Sequence, residues 1–421
     1  MTDRLPEWLA CLEARQPGRI ALGLDRVRQV WARLGVAPSF IVITVAGTNG
    51  KGSVCAYLEA ILVAAGYRVG TYTSPHLLRF NERMRVDGVP AGDEAIAEAL
   101  AQVEAARAGV ELTYFEHTTL AAFWLFQARG IEVAVLEVGL GGRLDAVNLI
   151  DADCAVVTQI DIDHVEYLGP DREAIGFEKA GIFRAGRPAI CADRSPPTRL
   201  LDHAAALGVD LRLNGRDYRV EAGDVDWTCR VGPRVYPALP RPALLGHHQL
   251  DNAAAALVAL DALRTRLPVP LAALRAGLRQ ATQPGRFQII GQAPLRILDV
   301  AHNPHAARAL AGALADLPPT GRRMAVFGLL ADKDAEGVLD ALAGRIDHWH
   351  VAGLSGPRGR SAADLAGRLD RRGWPHTQAA TVTEAWRAAC QAASPADTII
   401  AFGSFHTVAE ILADLQDARD G

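Results

Sequence analysis

The stretch that decides the fold is Phe40-Ile-Val-Ile-Thr-Val-Ala-Gly-Thr-Asn-Gly-Lys-Gly-Ser53. Phe40 to Ala46 is apolar and β-branched and runs into glycine, which predicts a buried parallel strand. Ser53 to Ala65 has helical composition and stops at Gly66, and Arg68 to Thr73 predicts a second strand. A strand, a glycine-rich loop, a helix and a strand in this order form a βαβ unit.

The glycine-rich loop predicts a nucleotide-phosphate site and therefore the use of ATP. Such a loop aims backbone N–H groups and a helix dipole at a phosphate. Lys51 would meet the β/γ-phosphate charge, and the Ser53 hydroxyl would reach Mg²⁺. The loop departs from the common G-x-x-x-x-G-K-[ST] pattern in two spacings, so an ordinary glycine-rich turn is the alternative. The expected phosphate-binding residues are Gly47, Thr48, Asn49, Gly50, Lys51, Gly52 and Ser53.

Strand and helix patterns alternate along the rest of the chain. Further strands are predicted at 132–138, 154–160, 188–192, 295–300, 324–329, 349–352 and 398–402, helices at 121–128, 253–266 and after Asn303-Pro304, and a small β excursion at 214–241. This alternation predicts an α/β protein with ligands at the carboxyl ends of its strands. We expect an N-terminal doubly wound P-loop ATPase-like domain over residues 1–284 and a smaller C-terminal Rossmann-like α/β domain over 285–421.

Composition excludes several classes of protein. The net charge of −4, without a basic stripe, argues against a nucleic-acid or membrane-surface binder. The six cysteines form no CxxC pair, so neither a zinc site nor a redox dithiol is indicated. No signal peptide is apparent, and the apolar stretches are shorter than the roughly 20 residues of a membrane span. We expect a cytoplasmic protein with small-molecule substrates.

Three polar residues at strand ends are candidate ligands of Mg²⁺, which prefers oxygen ligands and keeps several waters. They are Ser74, Glu137 and His164. Glu137 has the strongest context, because a carboxylate among apolar neighbours is costly to bury without a cation. The alternatives are an exposed edge position for Glu137 and a hydrogen-bonded loop position for His164.

Other candidates lie after strands in both halves of the chain. The glycine-rich segment Gly139 to Asp145 predicts a substrate or phosphate contact, or else a tight turn. In the second domain, Asp299 would accept hydrogen bonds from a ribose, His302 would face a carboxylate or phosphate, and Arg286 would clamp the triphosphate. Taken singly, these three are equally explained as a helix cap, a loop histidine and a surface arginine.

Several motifs together resemble those of the folylpolyglutamate synthase family. They are Val45-Ala-Gly-Thr-Asn-Gly-Lys-Gly-Ser53, Thr73-Ser-Pro-His76, Glu137-Val-Gly-Leu-Gly-Gly-Arg-Leu-Asp145, Glu178-Lys-Ala-Gly-Ile182, Pro284-Gly-Arg-Phe287, Asp299-Val-Ala-His-Asn-Pro-His305 and Gly403-Ser-Phe-His406. The resemblance covers nearly the whole chain. The family belongs with the Mur ligases, whose shared glycine-shifted phosphate loop accounts for the unusual spacing.

The resemblance implies an ATP-dependent amide ligase that joins L-glutamate to a pterin-linked carboxylate through an acyl phosphate. It implies ATP and Mg²⁺ at two sites, allows a monovalent cation, and implies a carbamylated Lys179, which sequence physics alone would place at the surface. It also implies a monomer. The alternatives are an enzyme that only extends folates, a Mur-type peptidoglycan ligase, disfavoured because the loop begins by residue 47, and a nucleotide-binding switch or scaffold.

The resemblance also assigns residues to roles. Lys51, Lys179 and His302 would be catalytic, and Ser53, Ser74, Glu137 and His164 would hold the metal. Asn252, Arg286 and Asp299 would contact ATP, and Ser404 and His406 match motifs near the glutamate and nucleotide end. The pterin site would comprise Ile20, Ala21, Leu22, Thr113, Tyr114, Phe115, Glu116, Leu144, Asp145 and Ala146.

Overall fold

The structure is a computed structural model that describes residues 4–15, 20–318 and 321–420. The strands are β1 Ile41–Ala46, β2 Val69–Tyr72, β3 Met84–Val86, β4 Val89–Pro90, β5 Val133–Glu137, β6 Cys154–Val157, β7 Pro188–Cys191, β8 Asp210–Leu213, β9 Tyr218–Ala222, β10 Asp226–Val231, β11 Arg234–Pro240, β12 Gln288–Gln292, β13 Leu295–Leu298, β14 Arg323–Phe327, β15 His348–Ala352, β16 His376–Ala379 and β17 Thr398–Phe402. The helices are α1 Leu5–Arg15, α2 Asp25–Leu34, α3 Lys51–Ala64, α4 Asp93–Arg107, α5 Tyr114–Ala128, α6 Val165–Leu168, α7 Arg172–Ala180, α8 Thr198–Leu207, α9 His248–Leu263, α10 Leu271–Gln280, α11 Pro304–Ala315, α12 Ala335–Ala341, α13 Ala362–Asp370, α14 Val382–Ala392 and α15 Phe405–Asp420.

The chain divides into two compact units. The first comprises Met1–His76, Phe80–Ala243 and Leu250–Thr282, and the second comprises Leu77–Arg79, Leu244–Gln249 and Gln283–Gly421. The longest continuous part of the second unit begins at Gln283. Within the described ranges, no helix combines the length and the apolar composition that crossing a membrane requires.

An eight-stranded sheet in the order β4-β3-β2-β5-β1-β6-β7-β8 forms the centre of the first unit. Six neighbouring strands run parallel to one another: β2, β5, β1, β6, β7 and β8. The β3–β4 hairpin extends the sheet beside β2, and its pairings are antiparallel. β1 pairs on one side with β5 and on the other with β6, so the strand order reverses beside it. Ligands bind at such a switch point in doubly wound folds, and the predicted fold class is confirmed.

The core of the first unit explains why β1 is so apolar. Val42, Ile43, Val45 and Ala46 are all buried, because layers of helices cover both faces of the sheet. Burying one such aliphatic side chain stabilises the fold by about 1.5–3 kcal/mol. The centre of the sheet is therefore a rigid support for the loop that follows β1.

The predicted β excursion is a separate antiparallel sheet with the order β11-β10-β9. Trp227 fills its core, and the indole Nε1 donates a hydrogen bond to the Pro240 carbonyl oxygen at 2.8 Å. Asp261 of α9 anchors the sheet by accepting hydrogen bonds from the Tyr236 hydroxyl at 2.6 Å and from Arg234 Nη2 at 2.5 Å. A buried carboxylate with several donors holds its partners in one arrangement.

The second unit contains a six-stranded sheet in the order β12-β13-β17-β14-β15-β16. All pairs except β12–β13 are parallel, which gives the Rossmann-like character predicted for this part. Phe327, Trp349 and Phe402 form an aromatic cluster in its core, with ring centroids 4.9–6.0 Å apart. Aromatic contacts of this kind are worth about 0.5–1.5 kcal/mol beyond the area they bury.

Several predicted boundaries were wrong for local reasons. Helix α3 begins at Lys51 instead of Ser53, because Gly50 adopts a left-handed conformation with φ of 90° and the helix starts directly after it. Helix α5 begins at Tyr114 instead of residue 121, since Thr113 caps it. β3, β4, β8, β12 and β16 were not predicted because they are short strands at or near sheet edges, where polar residues interrupt the apolar pattern.

Candidate active site

The predicted phosphate loop is fixed against the end of β6. A Cβ atom at Gly47 would lie 1.7 Å from Thr158 Oγ1, so only glycine fits there. That hydroxyl donates to the Asn49 carbonyl oxygen at 2.6 Å. Thr48 Oγ1 donates to the Asp161 carbonyl oxygen at 2.9 Å and accepts from the Asp161 N–H at 3.0 Å. The loop after β1 and the loop after β6 are therefore held together by hydrogen bonds.

Asn252 lies beside the phosphate loop, as its predicted ATP contact requires. A Cβ atom at Gly50 would come within 2.7 Å of Asn252 Oδ1. Asn252 is buried on the first part of α9, far along the chain from the loop. The fold thus brings together two predicted nucleotide-binding segments of the first unit.

Lys51 is the first residue of α3, and Ser53 is buried in the same turn. Lys51 Nζ donates to the carbonyl oxygens of Gly47 at 3.0 Å and Thr48 at 3.2 Å. This position puts an ammonium group at the positive end of a helix dipole, where it and the first backbone N–H groups favour an anion.

Lys179 is buried on the last turn of α7, so its placement at the surface by sequence physics was wrong. Burial lowers the pKa of Lys179 to about 7; the positive charge of Lys51 lowers it further, whereas Asp163 opposes the shift. An apolar environment disfavours the charged ammonium form. The amine is therefore substantially neutral near pH 7 and is nucleophilic in that form.

Glu137 is the last residue of β5, between β1 and β2, and it is only 5% exposed. The alternative of an exposed edge position was wrong. Glu137 Oε2 accepts a hydrogen bond from the Ser74 N–H at 3.1 Å, which brings two predicted metal ligands together. His164 caps α6 with a positive φ of 53°, and its Nε2 lies 3.9 Å from Asp163 Oδ1.

The donor set suits a hard divalent cation. It combines hydroxyls, a carboxylate and an imidazole, and a buried carboxylate at the sheet edge is best balanced by a positive charge. Throughout the described part of the chain, no three or more His, Cys, Asp and Glu side chains lie close enough to hold a metal by themselves. Hydroxyl groups, water and phosphate oxygens would therefore complete the coordination of Mg²⁺, as is usual for this ion.

The three predicted pterin-site segments meet in the first unit. The Gly23 N–H donates to the Leu144 carbonyl oxygen at 3.1 Å, next to the segment of Ile20, Ala21 and Leu22. Arg26 Nη2 donates to the Ala21 carbonyl oxygen at 2.9 Å and to Glu116 Oε1 at 2.7 Å. Sequence reasoning missed Arg26, because nothing local predicts a pairing across 90 residues.

Thr113 and Glu116 have a structural role that the sequence did not suggest. They form a capping box at the start of α5: the Glu116 N–H donates to Thr113 Oγ1 at 3.2 Å, and the Thr113 N–H donates to Glu116 Oε2 at 2.7 Å. Tyr114 and Phe115 follow the cap directly. A Cβ atom at Gly139 would lie 2.6 Å from Phe115 Cζ, so this ring packs against the second glycine-rich loop.

Asp145 ends that loop and organises it. Its carboxylate accepts hydrogen bonds from the N–H groups of Leu140 at 2.8 Å and Val147 at 2.9 Å, and Ala146 beside it is buried. Burial raises the pKa of Asp145 to about 6, although the backbone hydrogen bonds and the charge of Lys51 oppose the rise. The Gly139–Asp145 loop follows β5, which pairs with β1, so it lies at the same end of the sheet as the phosphate loop.

In the second unit, Asp299 follows β13. Its carboxylate accepts hydrogen bonds from the N–H groups of Phe287 at 2.8 Å and Ala301 at 2.7 Å, and burial raises its pKa. His302 Nδ1 donates to the Val300 carbonyl oxygen at 2.8 Å. Phe287 directly follows Arg286, so the bond from its N–H brings these two predicted ATP contacts close together, and the charge of Arg286 opposes the rise in the pKa of Asp299.

Two helices of the second unit begin at predicted motifs. Asn303 caps α11 by accepting from the Ala306 N–H at 2.9 Å, which confirms the predicted helix start. Ser404 Oγ accepts from the Thr407 N–H at 3.0 Å at the start of α15, and His406 is exposed in the first turn. Ser404 and Asp299 follow the adjacent parallel strands β17 and β13, so both motifs lie at one sheet edge.

Comparison with known proteins decides the family. The Mur ligase middle domain family matches residues 45–212, and the Mur ligase glutamate ligase domain family matches residues 285–405. The dihydrofolate synthase/folylpolyglutamate synthase of Escherichia coli strain K12 is 46% identical over 418 residues, covering 99% of this chain and 97% of the relative. The chain belongs to the dihydrofolate synthase/folylpolyglutamate synthase family.

Solved structures of this family have the same fold. The structure of Escherichia coli FolC in complex with DHPP and ADP has a TM-score of 0.94 at 47% identity and covers 99% of both chains. The Yersinia pestis folylpolyglutamate synthase/dihydrofolate synthase complexed with AMPPNP and Mn has a TM-score of 0.92 at 46% identity, covering 98% of each chain. Membership confirms an ATP-dependent ligase of the Mur ligase superfamily and supports the binding of ATP and a divalent cation. The alternative of a nucleotide-binding switch or scaffold was wrong.

Proposed function

We propose that this family member joins L-glutamate to dihydropteroate, giving dihydrofolate, and adds further γ-linked glutamates to (tetrahydro)folate. One observation carries the proposal: the phosphate loop follows β1, and the Gly139–Asp145 loop, which packs on Phe115, follows the neighbouring parallel strand β5. A carboxylate carried by a pterin would then lie within reach of a bound nucleotide. Relatives that are 46% and 40% identical are named for both activities.

The chemistry requires activation because a carboxylate is a poor electrophile. The substrate carboxylate attacks the γ-phosphorus of ATP, ADP leaves, and an acyl phosphate forms. The amino group of L-glutamate then attacks the acyl carbon and gives up a proton, phosphate leaves, and an amide results. Phosphoryl transfer depends mainly on positioning and on neutralising charge. Lys51 and the loop N–H groups supply part of both.

Mg²⁺, when bound, would neutralise charge on the phosphate oxygens and orient them. Ser53, Ser74, Glu137 and His164 would hold it at two sites, and a carbamate on Lys179 would add a carboxylate-like group. Asn252, Arg286 and Asp299 would contact ATP. His302, Ser404 and His406 would act at the glutamate and nucleotide end. We expect the protein to work as a monomer.

An assay with dihydropteroate, L-glutamate and Mg·ATP tests the central claim. We expect dihydrofolate and ADP to form in equal amounts, and the same protein to extend tetrahydrofolate in a second assay. Omitting dihydropteroate should abolish ADP release, because the γ-phosphate of ATP then has no carboxylate to be transferred to. Extension of tetrahydrofolate without any dihydrofolate would instead establish a monofunctional folylpolyglutamate synthase.

Carbamylation of Lys179 is expected to depend on pH. The neutral amine attacks CO₂ and loses a proton, so the carbamate forms above the amine pKa of about 7 and is lost as the pH falls through that value. In ¹³C-bicarbonate, the ¹³C NMR spectrum should show a carbamate signal at pH 8 that largely disappears by pH 6. The loss of activity over the same interval should follow it.

The Lys179→Met variant is the control for that experiment. It retains a buried side chain of similar length without the amine, so it should fold and give no carbamate signal. A carbamate signal that persists in Lys179→Met would assign the modification to another amine. An active wild-type preparation with no signal at pH 8 would reject carbamylation.

A further inference from the structure

A buried ion pair lies behind the predicted metal ligands. Arg85 Nε of β3 donates to both carboxylate oxygens of Glu59 on α3, at 2.9 and 3.0 Å, and Arg85 Nη2 lies 2.8 Å from Glu59 Oε2. The two side chains are only 15% and 11% exposed. Burying a charged pair costs desolvation free energy, and such a pair is weak evidence for stability by itself. The other contacts of Arg85 are therefore needed to explain why the pair is buried here.

The rest of the Arg85 guanidinium holds the segment that leads into Ser74. Arg85 Nη1 donates to the Glu82 carbonyl oxygen at 3.1 Å and lies 3.5 Å from Thr73 Oγ1. Thr73 directly precedes Ser74, whose N–H donates to Glu137 Oε2 at 3.1 Å. A planar arginine fork fixes several partners at once in a way that lysine does not.

Charge also links the pair to Glu137. Burial lowers the pKa of Arg85, but Glu59 raises it and Glu137 adds to the rise, so the net shift is upward. The Cys55 thiol, one turn before Glu59 on α3, is subject to the charges of Glu137, Arg85 and Glu59. Because Arg85 contacts Thr73, the residue before the one whose N–H bonds to Glu137, its positive charge would compete with a metal ion for that carboxylate unless another carboxylate balanced it.

We propose that Glu59 and Arg85 are positioning residues for the divalent cation. Arg85 holds the Thr73–Ser74 segment against Glu137, and Glu59 neutralises Arg85 so that Glu137 remains available to the metal. The proposal rests on the metal assignment of Ser74 and Glu137 made above. Partners behind the direct ligands typically change metal affinity by 10–100-fold when they are removed.

Binding of Mn²⁺ alone, measured from the EPR signal of the free ion, tests this role. We expect Glu59→Gln to weaken Mn²⁺ binding by about tenfold, because the Arg85 charge is then unbalanced beside the Thr73–Ser74 segment. The Glu59→Gln/Arg85→Gln double variant should bind Mn²⁺ more tightly than the single variant and less tightly than the wild type. Raising the Mg²⁺ concentration should restore the kcat of Glu59→Gln, which a purely structural defect would not allow.

Glu104→Gln is the matched control. Glu104 of α4 accepts hydrogen bonds from Arg15 Nη1 and Arg107 Nη2, both at 2.6 Å, and belongs to none of the predicted ligand sets. Its loss should leave Mn²⁺ affinity unchanged. Wild-type affinity in Glu59→Gln, or affinity no weaker than in the double variant, would overturn the proposal.

Two further variants keep the outcome clear. If Glu59→Gln does not fold, the double variant decides alone, and wild-type affinity in it would overturn the positioning role. Glu137→Gln should lose Mn²⁺ binding; if it binds like the wild type, the metal assignment itself fails, and the positioning role fails with it.

Discussion

Glutamate ligation by Lys51→Ala is expected to fall about 10³-fold in kcat, which is the usual scale for removing a group that neutralises charge in phosphoryl transfer. Lys51 Nζ bonds only to carbonyl oxygens of its own loop among its described hydrogen bonds. Alanine also has the highest intrinsic helix propensity. The thermal unfolding temperature should therefore stay within a few degrees of the wild type while turnover is lost.

Release of ADP from saturating Mg·ATP, dihydropteroate and glutamate measures this effect. Arg279→Ala is the control, because it removes an exposed cation from the last turn of α10 without altering the loop. Arg279→Ala should keep wild-type turnover. A folded Lys51→Ala protein with near wild-type kcat would remove Lys51 from the mechanism and with it the phosphate role of the loop.

Glu137→Gln is expected to reduce kcat by a similar factor of about 10³, since a neutral amide holds a divalent cation poorly. Glutamine keeps the shape of the side chain and the oxygen that accepts from the Ser74 N–H. The fold should therefore be retained. Glu137→Ala, by contrast, should lose activity and also leave a cavity at the buried carboxyl end of β5.

Activity measured against Mg²⁺ concentration distinguishes the two effects of Glu137→Gln. We expect no recovery at high Mg²⁺, in contrast to Glu59→Gln. Glu132→Gln is the control, because Glu132 is an exposed glutamate just before the same strand. Turnover by Glu137→Gln equal to that of Glu132→Gln would exclude Glu137 as a metal ligand.

Much of the fold follows from local sequence patterns. The centres of β1, β5, β14 and β17 are apolar runs that end in glycine or polar residues, and the structure confirms each of them. The short strands β4 and β16 did not follow, because they lie at sheet edges and carry polar or exposed residues. Edge strands are stabilised by their neighbours in the sheet more than by a pattern of their own.

In the candidate site too, features set by local sequence were predictable and features set by distant contacts were not. Lys51 and Ser53 are predictable because a loop between a strand and a helix has a defined geometry. The burial of Lys179 and the pairing of Arg26 with Glu116 could not be predicted from the sequence. Both depend on segments that are distant in sequence and that the fold brings together. Family resemblance named Lys179, but only the structure shows the burial that lowers the pKa of its amine.

The pairing of β1 with β5 has a consequence for the catalytic cycle. Val45 and Glu137 lie opposite each other in adjacent hydrogen-bonded strands, so the predicted phosphate loop and the carboxylate proposed to hold the metal are supported by the same pair of strands. Hydrogen bonds between these two strands therefore help to hold the phosphate loop and Glu137 at a fixed spacing. We therefore expect adjustment to substrates of different length to come from loops that are not tied to these two strands.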